Sequence, residues 1–244
     1  MKKLLLLGNS QNQQDEYLEH AQSEITRLLG SKRSKVLFIP YARVLPSFDL
    51  FAETARAGFQ RIGYDLNSIH VVADPQKAIH DAEAIVIGGG NTFHLLYHLA
   101  EKNLLTAIRY CVEWGTPFIG WSAGANVACP SIKTTNDMPI VEPPSLNALN
   151  LVPFQLNPHY VDCSDDPTAE TREERLNEFT EVNPEIYVVG LREGSMLRVE
   201  GSNIELFGPL GARIFVKGKS PKDYRTGEAV DFLLEGKRDL ISVT

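Results

Sequence analysis

The sequence predicts an α/β fold: a doubly wound, mostly parallel sheet with helices on both faces and a C-terminal antiparallel hairpin. Two observations carry it. Short apolar runs alternate with longer amphipathic stretches, and most of the runs are continuous rather than alternating, as in parallel strands covered on both faces. Beyond Glu193 the pattern changes to two short runs separated by Gly201-Ser202-Asn203, which reads as a hairpin turn.

Strands are expected at residues 4–7, 36–39, 69–72, 84–87, 118–121, 151–156 and 186–191. Helical periodicity fits residues 15–29, 48–62, 93–100, 105–114 and 171–182. Residues 196–200 and 204–207 form the expected hairpin, and 213–216 is expected to add to it. The proline cluster at 139–144 reads as a rigid loop. No repeat, low-complexity block or linker divides the chain, so residues 1–244 are expected to form one α/β domain.

Composition narrows the function classes. Apolar residues make up 43% and charged residues 23%, proportions that exclude disorder and fibrous structure. The net charge of −7 offers no basic surface for a phosphate backbone, so no nucleic-acid partner is expected. The opening apolar run stops at Gly8-Asn9-Ser10, short of the roughly 7–15 residues of a secretory core. No window approaches the ~18 apolar residues of a membrane span. Three cysteines, Cys111, Cys129 and Cys163, show no C-x-x-C spacing, so neither a disulfide framework nor a zinc cluster is suggested and a reducing cytoplasm is the expected setting.

Gly120-Trp121-Ser122-Ala123-Gly124 follows directly on an apolar strand. This is G-x-S-x-G in the context that gives it meaning, since a strand, a sharp turn and a helix start would project the Ser122 hydroxyl from the sheet's carboxyl edge. The Ala123 N–H at the helix start is a candidate oxyanion donor. A second turn, Gly88-Gly89-Gly90-Asn91-Thr92, lacks both the dinucleotide and the Walker spacing and reads as the other half of an oxyanion hole, through the Gly90 N–H.

A serine hydroxyl needs a base, and His159 is the only histidine after Ser122. It stands where a strand ends at Pro158, again at the expected carboxyl edge. A carboxylate should orient the imidazole. Glu193, at the end of another strand, is preferred on topology; Asp137 is the rival, as the true orienter or as a ligand for a substrate ammonium group. His94 and His98 stand four residues apart on a helix, but no third ligand accompanies them, and no metal or cofactor is expected. The order Ser, His, acid also departs from the α/β-hydrolases, whose histidine comes last.

These residues resemble the peptidase E family, the α-aspartyl dipeptidases, serine hydrolases whose flavodoxin-like fold is similar to that of class I glutamine amidotransferases. The resemblance lies in residues 4–10, 86–93, 120–130, 134–141, 157–159, 170–175 and 190–194, and its most specific part is Gly-Trp-Ser-Ala-Gly-Ala-Asn followed by Thr-Thr-Asn-Asp-Met-Pro-Ile-Val. It implies Ser122 as nucleophile, His159 as base, Glu193 or Asp137 as acid, and small peptides beginning with aspartate as substrates. It further implies that Arg172, in Glu170-Thr171-Arg172-Glu173-Glu174-Arg175, receives the aspartyl side chain. Taken from the residues alone, Arg172 and Arg175 on a glutamate-rich helix suit ordinary surface pairing equally. Arg192 and Ser195 stand where the family pattern has Pro and Asn. Amidotransferase relatives carry cysteine at the elbow, but here that residue is Ser122, and Cys129 reads as a structural thiol. Two other readings stay open: a related hydrolase or acyl transferase with another substrate, and a catalytically silent binding module.

Overall fold

The computed structural model describes residues 1–30, 35–162 and 170–236. Continuous apolar runs become four strands of a central sheet, β1 (Lys3–Leu7), β2 (Val36–Ile39), β4 (Ala84–Ile87) and β5 (Phe118–Trp121), and the short Leu-Asn-Ser segment β3 (Leu66–Ser68) lies at its edge. The reason the runs are continuous is visible in β1, where Leu4 and Leu6 enter one core cluster and Leu5 and Leu7 enter the other. Helices α1 (Gln22–Leu29) and α2 (Phe48–Arg61) cover one face. Helices α3 (Pro75–Asp81), α4 (Thr92–Glu101), α5 (Leu104–Glu113) and the short α6 (Ala123–Asn126) cover the other.

The remaining elements are β6 (Gln155–Pro158), α7 (Arg172–Val182), β7 (Val188–Leu191), β8 (Met196–Glu200), β9 (Asn203–Phe207), β10 (Ala212–Val216), β11 (Lys219–Tyr224) and α8 (Phe232–Glu235). The central sheet runs β3-β2-β4-β5-β1-β8-β9, its first five strands parallel and the β8–β9 hairpin antiparallel on the β1 edge. This is the α/β, mostly parallel and doubly wound class expected.

Several details differ from the sequence reading. The runs at 151–156 and 186–191 do not extend the central sheet; β6 and β7 pair with each other and join β10 and β11 in a second sheet, ordered β11-β10-β7-β6. That sheet packs Leu156 and Val189 into the core cluster shared with α4 and α5, so it takes the place of a further helix on that face. Its opposite side is covered by α7, where Leu176 joins Tyr160, Val188 and Phe215. The run at 213–216 pairs with β7 and β11 instead of the hairpin.

Residues 69–72 are not a strand. Ile69–Val71 close into a 3-10 turn, and the strand lies just before it. The helix expected from residue 15 begins only at Gln22, after a 3-10 turn at Glu19–Ala21. Cys163 lies outside the described residues.

Candidate active site

Ser122 occupies the turn between β5 and α6 with φ 52° and ψ −115°, a conformation an L-residue adopts only under constraint. Glycines on either side permit it. A Cβ on Gly120 would stand 2.3 Å from the Gly124 carbonyl oxygen, and one on Gly124 would stand 2.1 Å from the carbonyl oxygen of Ile87. The elbow is fastened by the Ser122 N–H, which donates to the Leu7 carbonyl at the tip of β1 (3.1 Å).

His159 follows β6 and Glu193 follows β7, so both come from the second sheet and face a hydroxyl delivered by the first. The two strands are parallel and in register at their tips, Pro158 opposite Leu191. His159 Nε2 lies 2.9 Å from Ser122 Oγ, and His159 Nδ1 lies 2.8 Å from Glu193 Oε1. An ionised carboxylate only accepts, so Nδ1 carries the proton and Nε2 is left to accept from the Ser122 hydroxyl. The imidazole is 38% exposed and the Glu193 side chain 54%, so solvent screens this pair.

The Glu193 turn is the place where the chain crosses from the second sheet to the first. It is tied to the tip of β1 by Gly8 N–H to Ser195 O (2.9 Å) and by Gly194 N–H to Asn9 Oδ1 (2.7 Å). Arg192 binds Asp162 and Asp223, and these hydrogen bonds keep its guanidinium firmly charged. Arg192 thus serves as an ion-paired anchor for this turn.

Asp137 stands elsewhere. Its Oδ2 accepts from Thr92 N–H (2.7 Å), Thr92 Oγ1 (2.6 Å) and Thr135 Oγ1 (3.0 Å), at the first residue of α4. The structure therefore places Glu193, not Asp137, against the imidazole.

The sequence reading gave no role to the amides that hold these loops. Asn126 Nδ2 donates to the Leu156 carbonyl (2.6 Å), Asn157 Nδ2 to the Thr134 carbonyl (2.9 Å) and to Asn136 Oδ1 (2.7 Å), and Asn136 Nδ2 to the Pro158 carbonyl (2.7 Å). The last of these grips the peptide unit before His159, whose φ is 54°. Their signal was the density of Asn and Thr in otherwise apolar surroundings, since buried amides persist only with partners.

Gly90 has φ 144°, and a Cβ there would stand 2.3 Å from the Ala42 carbonyl oxygen. Neither its N–H nor that of Ala123 donates to another described residue. Because α6 has only four residues, any pull from Ala123 comes from the N–H itself and not from a long helix dipole. Gly90→Ala is expected to cost at least ~1–3 kcal/mol through backbone strain, read as a lower melting temperature.

Arg175 Nε pairs with Glu170 (2.6 Å), which satisfies the ordinary surface reading for that arginine alone. Arg172 is half-buried, its Nη1 has no hydrogen-bond partner, and burial together with the Arg175 charge pushes its pKa down. It lines a cavity of about 230 Å³ together with Asn136, Asp137 and Asn157. Cys129 is buried, and burial pushes its thiol pKa far up, so it is no nucleophile. His94 and His98 have Nε2 atoms 3.1 Å apart and pack with Tyr41 and Phe48. Among the described residues no helix is long and apolar enough to cross a membrane.

A hydroxyl at the carboxyl edge of a mostly parallel α/β sheet, met by an imidazole and a carboxylate from a second sheet, describes a class of hydrolase-like folds, and comparison with known proteins narrows it. The sequence matches the family described as peptidase family S51 over residues 4–207, and the chain belongs to that family. It is 52% identical to a peptidase E of Nostoc sp., with 96% of this chain and 97% of the relative covered. It is 48% identical to a peptidase E of Shewanella amazonensis, covering 90% and 93%. The crystal structure of a peptidase from an acI-B1 Actinobacterium shares the fold, with a TM-score of 0.68 at 18% identity, covering 94% and 96%. The protein is a peptidase.

Proposed function

We propose that this peptidase is a serine dipeptidase that hydrolyses Asp-Xaa dipeptides through an acyl-enzyme on Ser122. The observation that carries the reading is the hydrogen-bonded series Ser122, His159, Glu193. His159 Nε2 takes the hydroxyl proton as Ser122 Oγ attacks the peptide carbonyl, and Glu193 stabilises the imidazolium. The N–H groups of Gly90 and Ala123 take the oxyanion. His159 then gives its proton to the leaving amine, the C–N bond breaks, and water, deprotonated by His159, hydrolyses the ester and restores Ser122.

Arg172 receives the aspartyl carboxylate, a pairing that suits a guanidinium with an unpartnered buried nitrogen. Asp137, whose Oδ1 makes no hydrogen bond to a described residue and which lines the same cavity, takes the substrate ammonium. No cofactor enters any step, and the cytoplasm remains the setting this reading assumes.

Hydrolysis of Asp-Leu, Asn-Leu and Glu-Leu tests the proposal. Asp-Leu is expected to be cleaved at least ~10²-fold more efficiently than Asn-Leu, because a charge-assisted pair is lost with the amide. Comparable rates on all three would defeat it. Two variants separate the carboxylates: Glu193→Ala is expected to lower kcat, and Asp137→Ala chiefly to raise KM. A fully active Glu193→Ala beside a dead Asp137→Ala would reverse that assignment.

A further inference from the structure

Among the described residues, four arginines carry a buried guanidinium nitrogen with no hydrogen-bond partner: Arg43, Arg172, Arg198 and Arg213. The last two are nonetheless held by carboxylates, Arg198 by Glu24 and Glu205, Arg213 by Glu173 and Asp223. Arg43 and Arg172 have no carboxylate partner among the described residues. One of these two cations the proposed function assigns to the aspartyl side chain; the other has no assigned partner.

Arg43 stands in the loop between β2 and α2, beside the glycine turn. The carbonyl of its neighbour Ala42 accepts the Asn91 N–H (2.8 Å) and presses on Gly90. Its guanidinium carbon lies 4.5 Å from the centroid of the Phe51 ring, and the edge of that ring fills the space against Gly88. Phe51 contacts Phe38 (5.3 Å), which stacks on Trp121 (5.9 Å), the residue before Ser122. Tyr17 sets its ring edge-on to Trp121 at 5.9 Å, and the Arg43 charge opposes the rise that burial imposes on the Tyr17 phenol.

Phe38, Phe51 and Trp121 belong to the core on the α1–α2 face, whereas the cavity of Arg172 is built from β6, α7 and the loop after α6 on the other side. The aromatic stack that carries Arg43, which ends at Trp121 one residue before Ser122, and the cavity that Arg172 lines therefore lie on opposite faces of the central sheet. A dipeptide laid across the nucleophile has matching ends. Its aspartyl side chain lies on the acyl side, and its second residue ends in a carboxylate about 3.5 Å of chain beyond the scissile bond.

We propose that Arg43 binds the C-terminal carboxylate of the dipeptide's second residue, making the glycine-turn side of the cleft the leaving-group subsite. The inference rests on the dipeptidase reading above and adds to it what limits substrate length. Stacking on Phe51 fixes the plane of the guanidinium in advance, so less freedom is lost when a carboxylate binds. A longer peptide or a C-terminal amide brings no anion to this point and leaves the cation uncompensated.

The test compares kcat/KM for Asp-Leu, Asp-Leu amide and aspartyl p-nitroanilide in the wild type, Arg43→Gln and Arg43→Lys. The wild type is expected to prefer Asp-Leu over its amide by about 10–100-fold, the loss of one charge-assisted hydrogen-bonded pair. Arg43→Gln is expected to bring that ratio to within about 3-fold, and to lose far more on Asp-Leu than on the p-nitroanilide, with Arg43→Lys between. The wild-type ratio is informative even if a variant folds poorly. Equal use of acid and amide by the wild type, or an equal loss on all substrates in Arg43→Gln, overturns the carboxylate subsite. A wild type inactive on every aspartyl substrate overturns the dipeptidase reading instead.

Discussion

Replacing Ser122 by alanine is expected to lower kcat/KM for Asp-Leu by ~10⁴-fold or more while leaving dipeptide binding near its wild-type strength. The methyl group keeps the volume of the turn. Alanine must adopt the same φ of 52° and ψ of −115°, which the Leu7, Gly120 and Gly124 contacts already impose on the serine. What disappears is the hydroxyl that His159 Nε2 contacts at 2.9 Å. The measurement is steady-state hydrolysis beside a binding titration with Asp-Leu. A variant that keeps a tenth of the rate would mean that water, not Ser122, attacks the carbonyl.

The second large effect is expected at Arg172. Arg172→Gln should lower kcat/KM for Asp-Leu by ~10²-fold and leave Asn-Leu nearly unaffected, so the preference between them collapses. The direction follows from the unpaired nitrogen, since a half-buried cation without an anion gains most from a substrate that supplies one. Arg175→Gln is the matched comparison. Its charge is already paired with Glu170 at the surface, and such pairs contribute roughly 0–1 kcal/mol, so its substrate preference should stay as in the wild type. Kinetics of both variants on the two dipeptides decide the matter, and an unchanged Asp-to-Asn ratio in Arg172→Gln would remove Arg172 from the substrate site.

The parts of the fold that could be read from the sequence are those where burial alone decides. Residues 36–39, 84–87 and 118–121 coincide with β2, β4 and β5, because an uninterrupted apolar run between two packed layers has few other stable conformations. The edge of the sheet was harder. In β3 only Leu66 and Ser68 are buried, with exposed Asn67 between them, so the apolar weight of Ile69 and Val71 drew the strand three residues too late. Helix α3 was overlooked despite a local signal, for Asp74 accepts the Lys77 N–H and Pro75 opens the helix. Strand β11, Lys-Ser-Pro-Lys-Asp-Tyr, is nearly all exposed at an edge and carries no apolar pattern.

The same limit applies to the site. Ser122, His159 and Glu193 each stand at a strand end, which sequence patterning locates, and the structure brings the three side chains into contact. That β6 and β7 belong to a separate sheet was not legible, because which strand pairs with which depends on contacts remote in the chain. Asp137 shows the cost. Its position between serine and histidine in the chain made it a rival for the acid, and only the fold reveals that Thr92 and Thr135 claim its carboxylate. Arg172 and Arg175 likewise look alike in the sequence, and only the fold shows that Glu170 pairs with Arg175 while the Arg172 Nη1 keeps no hydrogen-bond partner.

Intact-protein mass spectrometry after treatment with a fluorophosphonate tests most directly whether Ser122 is an activated nucleophile. The account predicts one phosphonyl adduct on the wild type, mapped by peptide sequencing to Ser122, absent from Ser122→Ala and formed much more slowly in His159→Gln. A wild-type enzyme that cleaves Asp-Leu yet takes up no label, or takes it up at another residue, would contradict it.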